Sequence, residues 1–139
     1  MKRSHFLRLA SFLMMLNSLV RAFFGFSMFN LFAAARNMGG ANSSDVRKAG
    51  IALGLLIVGA FADLICGFVG ALNWEEPLLA RRCSVWGGAA LFLGLAGNLA
   101  QSLTGYGVSY VAWTTGVIVP ALFLFAALHF ARNAKRNSK

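Results

Sequence analysis

Acidic residues are scarce: four Asp and Glu stand against thirteen Lys and Arg, and only 12% of the chain is charged. That leaves little for carboxylate-driven catalysis. The only adjacent acids, Glu75 and Glu76, fall in a polar turn and read as solvated charge. Cysteine and histidine occur twice each, too few and too dispersed for a zinc cluster or a disulfide framework. Cys66 and Cys83 lie in or beside apolar stretches and are expected to be inert, partly buried thiols. HExxH, GxSxG and the Walker glycine loop are all missing. These absences argue against an enzyme, and no cofactor and no metal are expected.

What the chain has in excess is apolar surface. At 139 residues and 58% hydrophobic, it carries more than one soluble core of that size can bury. Spanning a bilayer takes about 20 predominantly apolar residues. Four stretches qualify: Leu9 to Ala35, Ile51 to Leu72, Val85 to Leu103 and Val108 to Phe130. The expected architecture is therefore all-α, an integral membrane four-helix bundle filling residues 1–139 as one domain, with the lipid bilayer as its first partner. The start of the first stretch has signal-peptide character. Its apolar run resumes beyond Arg21 with Phe23, Phe24, Phe26, Phe29 and Phe32, so a retained span is expected.

A net charge of +9 suggests nucleic acid in a soluble protein, but here the cations bracket apolar segments and form no stripe on a polar surface, so no nucleic acid is expected. Orientation explains them better. With the termini and the second connection on one side, that side holds Lys2, Arg3, Arg8, Arg81, Arg82, Arg132, Lys135, Arg136 and Lys139. Arg36, Arg47 and Lys48 stand opposite. The positive-inside rule then predicts both termini in the cytoplasm of a multi-pass cell-membrane protein.

Two charges stand where charge is hardest to keep. Arg21 interrupts the first stretch and Asp63 the second, each equally far from Asn42 at the centre of the polar Arg36 to Lys48 segment. In an antiparallel hairpin they meet at one depth. An isolated charge near mid-bilayer costs from about 3 to above 10 kcal/mol, so an intramembrane ion pair is expected.

Around that pair, helical spacing groups small and polar residues. Met14, Asn17, Ser18, Arg21 and Gly25 share one stripe, and Ala52, Gly59, Asp63, Gly67 and Gly70 another. Gly87, Ala90, Gly94, Asn98 and Gln101 form a third, while Gly50 and Gly54 add a GxxxG spacing. Asn17, Ser18, Asn98 and Gln101 are candidates to line a cavity, and Gly50, Gly54, Gly59, Gly67, Gly70, Gly87 and Gly94 are candidates for helix packing. Trp74 and Trp86 on one side, with Tyr106, Tyr110 and Trp113 on the other, are candidate interface anchors. Pro77 suits the start of a short interfacial helix, and Pro120 should kink the fourth span. Asn42-Ser43-Ser44 matches a glycosylation triplet in a loop too close to the membrane to use it. Thr104-Gly105-Tyr106-Gly107 shares letters with a potassium-channel filter, but it lacks the valine and a separate pore helix, and reads as a tight turn.

Two functions are compatible with these features. The first is a small non-enzymatic membrane protein, an accessory or self-associating subunit packed around Arg21 and Asp63, with itself or a larger membrane protein as partner. The second is a small oligomeric transporter or channel for an ion or small polar substrate, its pathway lined by the same pair and the outer amides.

Overall fold

The computed structural model describes residues 5–40, 44–76, 79–103 and 109–137. Every long element among them is helical: α1 (His5–Ala35), α2 (Ser44–Leu72), α3 (Ala80–Ser102), a short α4 (Tyr110–Trp113) and α5 (Val119–Asn137). A π-helical turn, Arg36–Gly40, closes α1, and a second, Thr114–Ile118, joins α4 to α5 into one continuous fourth span. Among the described residues four segments are long and apolar enough to cross a membrane: His5–Met38, Val46–Leu72, Ala80–Ser102 and Tyr110–Asn133.

The first three spans begin earlier than hydropathy suggests. Apolarity alone starts the second span at Ile51, whereas α2 starts at Ser44 and takes in Arg47 and Lys48, so the connection is not the extended loop expected over Arg36 to Lys48. Serine and aspartate favour helix starts, and long cationic side chains can remain in water while their backbone is helical. For the same reason α1 includes Arg8, and α3 includes Arg81 and Arg82. Pro77, Asn42, Ser43, Tyr106 and the Thr104 to Gly107 turn lie outside the described residues, as do Lys2, Arg3 and Lys139.

The spans pack as a ring in which α1 touches α2, α2 touches α3, α3 touches the fourth span, and the fourth span returns to α1. Neighbours run antiparallel. The His5 ring at the start of α1 lies 5.5 Å from that of Trp74 just beyond α2, while Phe32 near the end of α1 meets Gly50 near the start of α2.

The interior is divided lengthwise. The half nearest the termini is mainly apolar: Leu7, Met14, Cys66, Cys83, Ala126 and Phe123 are buried together, with the Phe123 ring against Gly70 and Gly87, and buried Ser11 donates its hydroxyl to the Leu7 carbonyl. The other half holds Asn17, Ser18, Arg21, Asp63 and Asn98. Large apolar side chains such as Phe23, Phe61, Phe92 and Phe125 point outward. Small residues at the helix contacts and large ones such as these on the outside suit helices that associate in lipid through close backbone packing.

Glycine sets those approaches. A Cβ on Gly67 would lie 2.9 Å from the Met15 amide nitrogen and the Ser11 carbonyl oxygen, so α1 and α2 can meet here only because glycine stands there. A Cβ on Gly94 would coincide with the carbonyl of Gly116 on the fourth span. Gly54, expected at a packing position, has nothing within 4 Å of where its Cβ would be and faces open space. The GxxxG spacing is therefore half used, with Gly50 taking the Phe32 ring at 3.3 Å while its partner position turns away.

Candidate functional site

Asp63, fully buried on α2, accepts two hydrogen bonds on one carboxylate oxygen. Arg21 Nη1 donates to Oδ2 at 2.8 Å, and Asn17 Nδ2 donates to the same atom at 2.8 Å. Arg21 is 3% exposed and lies along the notch left by Gly59, where any Cβ would collide with its guanidinium. Two donors from one face of α1 thus converge on one acceptor of α2, as residues four apart on a helix can do. Ser18 Oγ adds a 2.9 Å bond to the Ala60 carbonyl beside them.

The second hydrogen of the Asn17 amide goes to the fourth span, where Thr115 carbonyl oxygen accepts it at 2.8 Å. That carbonyl is free for a definite reason. In the π-helical register the Val119 N–H bonds to the Thr114 carbonyl, so it does not serve Thr115. The next nitrogen along belongs to Pro120, which has no hydrogen to give. Proline and π-turn together leave an acceptor inside the bundle, and Asn17 fills it. Where a kink is expected from Pro120, the span carries a π-helical turn that ends two residues before it, as can happen where the i→i−4 ladder fails. Asn98 Nδ2 similarly reaches from α3 to the Ala112 carbonyl at 3.2 Å.

Arg21 Nε and Asp63 Oδ1 are buried and have no hydrogen-bonding partner among the described residues. Arg21 also borders a cleft in the polar half of the bundle. An inner part of about 60 Å³ is lined by Arg21, Asn98, Gln101 and Thr115 with apolar neighbours. An outer part of about 240 Å³ shares Arg21, Gln101 and Thr115 and reaches Ser109 and Phe24. The inner part has room for water or a similarly small polar group.

The expected cavity residues separate into two groups. Asn98 and Gln101 line the cleft with Arg21, whereas Asn17 and Ser18 do not; their polar groups are spent on Asp63, Thr115 and Ala60. Trp74 packs against His5 and Arg8, while Trp86, Tyr110 and Trp113 are exposed. Cys66 and Cys83 are free thiols within the apolar half, and among the described residues no three His, Cys, Asp or Glu side chains converge as a metal site would require. Sequence pattern marks Thr115 only for a hydroxyl that can bond its own backbone, as it does to the Val111 carbonyl at 2.9 Å, and places neither Thr115 nor Gly116 at the site. The available signal was their position five and four residues before Pro120, where backbone acceptors lose their usual donor.

Comparison with protein-family models, curated proteins and solved structures gives no match.

Proposed function

We propose that the chain is a small non-enzymatic membrane protein, an accessory or self-associating subunit, in which the Arg21–Asp63 pair specifies how the spans pack. The observation that carries this reading is the saturation of Asp63 Oδ2 by Arg21 and Asn17, with the Asn17 amide continuing to Thr115. One carboxylate oxygen thereby ties α1, α2 and the fourth span together. The engaged Oδ2 side of the pair suits a device that sets register, as buried polar groups do in other helical assemblies. The excess of cations at the terminal end supports an orientation with both termini in the cytoplasm of a cell-membrane protein.

The outward phenylalanines of α1 are the surface on which a partner or second copy would sit. Phe23, Phe26 and Phe29 are 70%, 68% and 52% exposed. Photocrosslinking from these positions in native membranes tests the subunit role. Adducts to a second copy or to one larger polypeptide are expected, and adducts to lipid alone would refute it.

A second reading, a small transporter or channel, draws support from the cleft. Arg21, Asn98 and Gln101 converge there beside an unpartnered guanidinium nitrogen. Flux of small polar solutes into proteoliposomes, abolished by a folded Arg21→Met/Asp63→Leu protein, would favour it over the subunit role.

A further inference from the structure

At the terminal end of the bundle, a groove of about 450 Å³ opens between the start of α1 and the end of α2. Its rim is cationic and aromatic: the Arg8 guanidinium carbon lies 4.9 Å from the centre of the Trp74 ring, and the His5 ring packs 5.5 Å from the same indole. Its floor is apolar, built by Phe12, Met15 and Ala71. We propose that this groove binds an anionic phospholipid, with the phosphate on Arg8 and one acyl chain along Phe12 and Met15.

A guanidinium lying over an indole keeps its in-plane N–H groups directed sideways, where they match two phosphate oxygens. From Arg8 to Met15 the helix descends about 10 Å, so the apolar floor leads from headgroup depth toward the hydrocarbon. Beneath Met15 the two helices are in close contact, because Gly67 lets the Met15 backbone come against α2. Glu75 and Glu76 follow Trp74 in sequence but do not line the groove. A basic, aromatic rim here stands above an apolar furrow. It favours an anionic headgroup over a zwitterionic one, whose own cation would be brought to Arg8. The proposal depends on neither the orientation nor the choice between subunit and transporter.

The full chain carrying Trp86→Phe and Trp113→Phe retains Trp74 as its sole indole and reports occupancy of the groove. It is reconstituted in phosphatidylcholine vesicles with a trace of brominated lipid, either phosphatidylglycerol or phosphatidylcholine. Trp74 fluorescence should be quenched at about fivefold lower mole fraction by the anionic lipid, the gain expected from one cation beside an anionic headgroup. Arg8 is exposed, so Arg8→Gln leaves the core untouched and should remove the preference, while Arg8→Lys should retain part of it. A protein with Trp113 as its sole indole, on a stretch of the fourth span that carries no cation, should show no preference. Equal quenching of Trp74 by both lipids would overturn the proposal. So would a preference that survives Arg8→Gln, one shared equally by Trp113, or relief of quenching by inorganic phosphate alone.

Discussion

Replacing Asn17 with leucine, an apolar residue of comparable size, removes one donor and two hydrogen bonds. The first is a charge-assisted bond to Asp63 Oδ2 and the second is the bond to the Thr115 carbonyl. In soluble proteins, losing a bond to a charged group costs about 1.5–3 kcal/mol, and orphaning a buried acceptor about 1–3 kcal/mol. Interhelical bonds in membranes measure lower, about 0.6 kcal/mol on average and about 1.7 at most. The substitution should therefore cost about 2 kcal/mol in reversible unfolding in bicelles. A second substitution identifies the source. Pro120→Ala restores an N–H that can serve the carbonyl of Thr115 or Gly116, so Asn17 becomes less necessary, and Asn17→Leu should then cost about 1 kcal/mol less than in the parent. If Asn17→Leu costs the same with proline or alanine at position 120, the link between π-turn, proline and amide is wrong.

Gly94→Ala places a methyl on the Gly116 carbonyl, an obstacle of backbone that cannot swing aside, and should destabilise by about 3 kcal/mol, the upper end for overpacking. Gly54→Ala meets nothing and should be neutral or stabilising by up to about 1 kcal/mol, since alanine is the better helix former. Both are read as midpoints of thermal unfolding in mild detergent. Cysteines at the exposed positions Met38 and Asn133 should label with impermeant maleimide from opposite sides of the membrane, Asn133 from the cytoplasmic side; labelling of both from one side would contradict the proposed topology.

The contact between Arg21 and Asp63 can be read from sequence because two physical facts locate it. Neither charge is tolerable alone in an apolar span, and a hairpin centred on Asn42 brings their positions level. The burial of Asn17, Ser18 and Gly25 follows from the same helical period. Helix length is less legible, because hydropathy marks where lipid begins and not where the backbone stops being helical; Ser44 and Ala80 start helices well outside their apolar stretches. The part Asn17 plays is not legible either. Spacing gives it a face but not a partner, and its second acceptor exists only because the fourth span changes register at Thr114–Ile118. Gly54 shows the opposite failure, since a motif of two glycines says nothing about which of them a neighbour will reach.

The central claim, that guanidinium and carboxylate sustain each other inside the bundle, is tested most directly by a double-mutant cycle. Arg21→Met and Asp63→Leu are made singly and together, and unfolding free energies are measured in bicelles. Each single change strands a buried charge and should cost about 3–5 kcal/mol, whereas the double variant should recover most of that loss, because an apolar pair can replace an ionic one. Single effects that simply add in the double variant would contradict the account.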